Sequence, residues 1–545
     1  MTIGLAEESG DSLLNAFTSI VLAAFSGIGL FLCFPPFNLS SLVWVILIPL
    51  FLAIAGKSAM RGFLLSFFCG ICFFLGHFNW ILEIPGYTPL HHTMLALYLG
   101  SYFGIFGLAF SFISKRRNIT TALFAAPFVL VSLEYVRSNL AFIALPWGLL
   151  AHSQYQVPPI LQIASLTGVY GISFLIVIVN SALAAMAYLF LGRLRKDKGE
   201  GLGGEKWVVV TAAVLIAFNL VYGQVIISNP IEGKEIKVSI VQGNIEQEMK
   251  WDRRHAKFIM QTYADLTQKA SKEAPDLIVW PETATPRSIN RDPELYNHVI
   301  RISKATDTNL LLGSSHHRKF KGKDSKNVTF FNSAFLIKPE GKVKKQRYDK
   351  IRLFPFGEYL PLKETIPWSA INVHDVPGTV PGKEFTIFGL HDLRFGVTIC
   401  WENIFPDLFR QFVKAGAQFI INITNEAWFG ETAAPYQFVS MSVMRAVENR
   451  VYVVRCANTG VSCFIDPYGR VVDRVKNSTG KDIFVRGILT GSVIPQESKT
   501  FYTQYGDWIV WLSFLSSAIF LVIALLKKNP KSKFEQLSRA GSRNP

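Results

Sequence analysis

Phe395-Gly-Val-Thr-Ile-Cys400-Trp-Glu402 is an apolar run that ends on a cysteine and a short polar turn. A continuous apolar run of this length has the pattern of a buried strand. A cysteine at its C-terminal end stands on the sheet rim, where α/β enzymes place reacting groups. Cys400 is therefore the candidate nucleophile. Asp276-Leu-Ile-Val-Trp-Pro-Glu282 repeats the pattern and ends on a carboxylate, and Tyr348-Asp-Lys350 precedes the loop Leu353-Phe-Pro-Phe-Gly-Glu358-Tyr-Leu-Pro361. Taken singly, each has an ordinary reading: an inert core thiol, a turn carboxylate, a solvated lysine. Taken together they supply what a cysteine nucleophile needs. A free thiol, with pKa about 8.5, is only a few per cent thiolate at neutral pH and requires a base or a nearby cation.

Outward from these strings, the chain alternates strands and helices. Strands are expected at 236–242, 276–280, 308–314, 330–337, 394–400, 418–423, 451–456 and 461–465, and helices at 252–273, 293–306, 404–414 and 435–449. That alternation predicts an α/β domain over 228–505.

The remainder is membrane. Half of the 545 residues are hydrophobic, too many for a soluble enzyme. Apolar blocks fall at 13–34, 41–56, 62–82, 93–114, 119–137, 163–191, 207–227 and 507–526. Most approach the ~20 residues that cross ~30 Å of hydrocarbon, the second being short. Residues 1–227 thus read as a transmembrane domain of about seven helices, 506–526 as a C-terminal transmembrane helix and 527–545 as a basic cytoplasmic tail. No cleaved signal peptide is expected, because the first block lacks a basic n-region and more membrane segments follow it.

Lysine and arginine set the expected orientation. Lys57 and Arg61, Lys115 to Arg117, Arg193 to Lys206, and Lys527 to Lys533 all fall on one side, whereas the alternate connections at 35–40, 83–92 and 138–162 contain neither residue. By the positive-inside rule both termini are cytoplasmic and 228–505 lies across the membrane. The net charge of +16 fits these loops and anionic lipid, and no nucleic-acid motif accompanies it. The six cysteines match no metal spacing, the pairs His91-His92 and His316-His317 read as surface or interface groups, and no metal is expected. Cys456 and Cys463 are spaced to permit a link, or to face inward from neighbouring strands. Glu134 and Arg137, three apart on one expected helix, can pair or snorkel from its end. Leu145 to Gln154 is too long and mixed for a simple turn and is expected to form an apolar re-entrant wall beside the α/β domain.

The order Glu282, Lys350, Cys400 resembles the catalytic set of the nitrilase, or carbon-nitrogen hydrolase, superfamily. Further strings narrow the resemblance: Val241-Gln-Gly-Asn-Ile-Glu-Gln247 with Lys250-Trp251, Trp280-Pro-Glu282, Phe331-Asn-Ser333, Pro355-Phe-Gly-Glu358-Tyr359, Ile399-Cys400-Trp-Glu402, Thr424-Asn-Glu-Ala-Trp-Phe-Gly430, and Arg445-Ala-Val-Glu448 with Arg455 and Asn458-Thr-Gly460. Over nearly the whole chain, these are similar to the apolipoprotein N-acyltransferase family. The resemblance implies a polytopic α-helical membrane domain plus an external (periplasmic) nitrilase-like α-β-β-α sandwich in a bacterial inner membrane.

It also implies acyl transfer from a phospholipid, through a thioester on Cys400, to a diacylglyceryl apolipoprotein. No cofactor is expected, because the energy resides in the ester of the donor, and the protein is expected to be a monomer. Glu282 is then the general base, and Lys350 and the Trp401 N–H stabilise the oxyanion. Glu358 and Glu402 support the lysine and the thiol. Trp251, Trp428 and Phe429 either guide lipid and cover the site or pack on the membrane domain. Trp401, Glu426 and Phe438 depart from the family's usual tyrosine, aspartate and histidine. Two rivals use the same features: a membrane-anchored amidase hydrolysing a small C–N substrate, and a transporter or lipid-binding protein without catalysis. The number of spans favours lipid handling over the first, and the retained reactive side chains argue against the second.

Overall fold

The strand that ends before Cys400 lies inside the second of two facing sheets. The computed structural model describes residues 15–194, 204–250, 252–319, 328–340, 347–371, 376 and 378–526. Trp251, Arg195, Lys196, Lys198 and the 527–545 tail lie outside the described residues.

The first sheet contains β1 (Ile236–Gln242), β2 (Leu277–Val279), β3 (Asn309–Lys319), β4 (Val328–Ile337) and β5 (Arg347–Asp349). The second contains β6 (Ile387–Leu390), β7 (Leu393–Ile399), β8 (Phe419–Thr424), β9 (Tyr452–Ala457), β10 (Cys463–Ile465) and β11 (Val471–Arg474). The last strand, β12 (Gly487–Val493), returns to the first sheet. The strand orders are β12-β1-β2-β3-β4-β5 and β11-β10-β9-β8-β7-β6. Each sheet has a parallel centre, β1-β2-β3 or β7-β8-β9, with antiparallel flanks.

Period-two alternation sorts the strand residues into layers. Leu277 and Val279 of β2 and Leu311 of β3 join Val397, Ile421 and Val454 of the second sheet in one buried cluster. The alternate residues Ile278, Leu310 and Leu312 lie in a separate cluster with Ile259 and Tyr263 of helix Ala256–Ser271 and Val299 of helix Pro293–Ala305. Helices Pro406–Lys414 and Ala434–Asn449 cover the other sheet. The result is an α-β-β-α sandwich.

Strands β5, β6, β11 and β12 go beyond the sequence expectation. The expected strand 394–400 ends one residue early, so that Cys400 opens a turn rather than closing the strand. Cys456 and Cys463 are separate buried thiols, and their link is not formed.

Among the described residues, six helices are long and apolar enough to cross a membrane: Ala59–His77, Pro89–Arg116, Ile119–Asn139, Val169–Phe190, Glu205–Ser228 and Trp508–Leu526. Ala16–Leu32 is a shorter apolar helix, and Ser40–Ile54 is a shorter apolar helical stretch. The expected span 41–56 is broken into a 3-10 turn, Ser40–Trp44, and helix Ile48–Ile54. Asn180 bridges the break by accepting from Leu47 N at 3.0 Å and donating to Val43 O at 2.9 Å. The expected span 163–191 begins later, at Val169, because Gly168 takes φ +67° against the Tyr502 ring and ends the preceding short helix.

Glu134 and Arg137 are both buried and do not snorkel. Arg137 Nη1 donates to Trp147 O at 2.6 Å, and Glu134 accepts from Leu150 N at 2.9 Å. The two charges therefore hold the backbone of the 145–154 wall, which supplies the partners each would have sought in the other.

Candidate active site

Glu282, Lys350 and Cys400 come together from three strand ends: the turn after β2, the residue after β5 and the residue after β7. Lys350 Nζ lies 3.5 Å from Glu282 Oε1 and 2.9 Å from Glu358 Oε2, with Lys350 almost wholly buried. The Glu282 carboxylate accepts from Asn332 Nδ2 at 2.7 Å and from Asn425 N at 2.8 Å. Asn332 also donates to Glu358 Oε1 at 3.0 Å, and Phe354 N donates to Glu358 Oε2 at 2.7 Å. Glu358 thus fixes the lysine and its loop at once.

Cys400 has φ +56°, unusual for a residue with a Cβ, at the start of the turn Cys400–Ile404. Glu402 makes that turn possible. Its carboxylate accepts from Ile399 N at 2.8 Å, Ile351 N at 2.7 Å, Arg352 N at 2.9 Å and the Tyr348 hydroxyl at 2.8 Å. One buried carboxylate therefore joins the cysteine turn to the residues on either side of Lys350. Trp401 Nε1 donates to Arg352 O at 2.6 Å, a second tie between the same segments.

The electrostatics follow from burial. Burial alone would depress the Lys350 ammonium, but the Glu358 and Glu282 carboxylates outweigh it and raise it above the usual lysine range, so the cation persists. Burial pushes the Cys400 thiol up and Glu282 adds to this, while Lys350 opposes both. The resting sulfur is therefore protonated, and a thiolate requires transfer of its proton to a neighbouring base. Burial pushes the Glu402 carboxyl up to about 7 against the pull of the Arg352 and Ile399 N–H groups.

Sequence reasoning did not assign roles to Asn332, Asn425 or Lys250. Lys250 Nζ donates to Glu282 O at 3.1 Å and Thr283 Oγ1 at 3.2 Å. The strings containing these residues were the available signal. Trp428 is exposed, whereas Phe429 is buried, 5.1 Å from the Trp80 ring and 5.6 Å from Phe438. Phe429 therefore packs between Trp80 of the membrane half and Phe438 of helix Ala434–Asn449. Phe438 also lies 4.6 Å from Trp147, an aromatic contact that accounts for an apolar ring at that position. Glu426 forms a fully buried ion pair with Arg455, and Gly460 leaves the space that its longer side chain occupies. A cavity of about 320 Å³ opens beside the site, lined by Phe142 and Ala144 of the membrane half and by Ile351, Arg352, Pro355 and Trp401.

Residues 26–182 match the family model for the apolipoprotein N-acyltransferase N-terminal domain, and residues 237–493 match the carbon-nitrogen hydrolase model. An apolipoprotein N-acyltransferase of Geobacter metallireducens is 34% identical, over 93% of this chain and 96% of its own length. One of Haemophilus ducreyi is 28% identical over 89% and 93%. A crystal structure of an amidase from Nesterenkonia sp. overlays 52% of this chain and 98% of its own, with TM-score 0.36 and 16% identity. With both halves matched in order and the first relative aligned almost end to end, the chain belongs to the apolipoprotein N-acyltransferase family.

Proposed function

We propose that this protein moves one acyl chain from a membrane phospholipid, through a thioester on Cys400, to the α-amino group of the N-terminal diacylglyceryl-cysteine of an apolipoprotein. The observation that carries the reading is the buried Glu282–Lys350 pair, held by Glu358 and Asn332, at the strand ends beside Cys400.

In the first half-reaction Glu282 takes the Sγ proton as sulfur attacks the ester carbonyl. Lys350 Nζ and the Trp401 N–H receive the oxyanion, and losing one such donor costs about 3–4 kcal/mol. Collapse breaks the ester C–O bond, and the departing oxygen takes the proton from Glu282, releasing a lysophospholipid. In the second half-reaction the lipoprotein amine attacks the thioester and passes a proton to Glu282. Collapse then breaks the C–S bond, and the proton returns to sulfur.

The cavity between Phe142 and Trp401 supports the reading, because it joins membrane-half residues to those following Lys350 and Cys400. In this reading exposed Trp428, the loop at 354–367 and, by its place in the Lys250-Trp251 string alone, Trp251 guide lipid and keep water from the thioester. The positive-inside pattern supports an inner-membrane protein with cytoplasmic termini and a periplasmic α/β domain.

The test incubates the purified protein with phospholipid and a synthetic diacylated lipopeptide. Lysophospholipid and triacylated peptide in equal amounts are expected. Free fatty acid without triacylated peptide overturns the transferase reading in favour of a hydrolase.

A further inference from the structure

A second buried lysine stands behind the base. Lys250 ends the short helix Gln247–Lys250, and its side chain is enclosed. Its two hydrogen bonds reach the main-chain oxygen of Glu282 and the side chain of Thr283. Thr283 is β-branched yet has φ +44°, a conformation that persists only where the surroundings impose it. The other end of the same short helix is tied to the carboxylate's side of the turn. Gln247 accepts from Asn425 Nδ2 at 2.7 Å, and the Asn425 N–H is the one that Glu282 Oε2 accepts.

We propose that Lys250 is a positioning residue for acyl transfer: its ammonium braces the strained Glu282–Thr283 turn and keeps the Glu282 carboxylate directed at Cys400. The inference rests on the assignment of Glu282, Lys350 and Cys400 above.

A purely structural brace requires only N–H groups, whereas this one carries charge in a water-poor site. The charged and titratable groups facing it are Glu282 and Cys400, with Lys350 and Glu358 beyond Glu282, and Glu246, Glu248 and Asp252 on its own stretch. Burial depresses the Lys250 ammonium to about 8, while Glu282 and Cys400 pull it back up. The charge is therefore present at neutral pH and lost as pH rises through that value. Its loss weakens both charge-assisted hydrogen bonds that hold the turn.

The test uses the full-length protein in detergent, with phosphatidylethanolamine as donor and a synthetic diacylated lipopeptide as acceptor. It measures kcat/KM from about pH 6 to about pH 10 for the wild type, Lys250→Met and Lys250→Arg. The wild type is expected to lose activity above about 8. Lys250→Met is expected to be roughly tenfold to a hundredfold slower at neutral pH and to lack that fall. Lys250→Arg, whose guanidinium stays protonated, is expected to carry activity to higher pH. The same alkaline fall in all three proteins, or Lys250→Met with wild-type kcat/KM, overturns the proposal. Should Lys250→Met not fold, the Arg comparison decides, and an unmoved fall overturns it. Should the wild type with donor alone form no thioester on Cys400 by mass spectrometry, the acyl-transfer assignment fails first and this proposal with it.

Discussion

Glu402 faces hydrogen-bond donors on every side: three main-chain N–H groups and the Tyr348 hydroxyl. An acceptor-only carboxylate satisfies all of them, and an amide does not. Glu402→Gln turns an NH2 toward these donors, and each buried group left unsatisfied costs ~1–3 kcal/mol. The variant is expected to form the Cys400 thioester at least about tenfold more slowly and to melt at a lower temperature, as read by single-turnover mass spectrometry and a thermal scan. An unchanged rate would separate Glu402 from the chemistry.

Two further substitutions probe the reacting groups. Lipoprotein from cells carrying only Cys400→Ala is expected to bear two acyl chains, and a third would remove Cys400 as nucleophile. Glu282→Gln is expected to accumulate no acyl-enzyme, and normal trapping would remove Glu282 as base. Cys400, Glu282 and Lys350 were legible in the sequence because each follows a recognisable apolar strand or stands beside a distinctive loop. Asn332, Asn425 and Lys250 were not, since each acts on Glu282 from a different segment and only the fold sets those distances.

Among elements, helices Ala59–His77 and Pro89–Arg116 meet through small residues. A Cβ on Gly70 would fall 2.8 Å from Gly100 Cα, and one on Gly62 would fall 2.5 Å from Gly107 O. Small residues four or more apart on each helix let the backbones approach where lipid gives no hydrophobic drive for helix pairing. Gly107→Leu is expected to cost ~1–3 kcal/mol by overpacking, measured as a shift in unfolding of the detergent-solubilised protein. No shift would mean that the helices separate freely at that point. The long apolar blocks and the buried central strands were readable because their periods are strong. Strand β5 has three residues, two of them charged; β11 is largely exposed; β12 contains two glycines. None carries an apolar alternation, and each is fixed by pairing with a neighbour instead. The broken span 41–56 was equally hidden, because Asn180, which mends it, lies far along the chain.

At the scale of the whole molecule, the two halves share a buried core. Gln437, on the helix Ala434–Asn449, accepts from the indoles of Trp80 at 3.0 Å and Trp147 at 2.8 Å and donates to His77 O at 3.1 Å. The membrane assignment was legible from composition, and lysine and arginine supply an expected orientation. A reporter fused after Lys198 is expected to behave as cytoplasmic and one fused after Gly233 as external, and the reverse would invert the topology. The seam between the halves was not legible, because a glutamine within a helix carries no sign of the indoles it will meet.

That seam has a consequence for selection among lipids. With Gln437 tied to both tryptophans, and the sandwich running from helix Glu205–Ser228 and into Phe501–Tyr505 and the last span, Cys400 is carried on a framework joined to the spans by a buried seam as well as by the chain itself. Under the proposed acyl transfer, the ester then has to come up to the sulfur, and how far a given molecule must rise becomes a term in its selection.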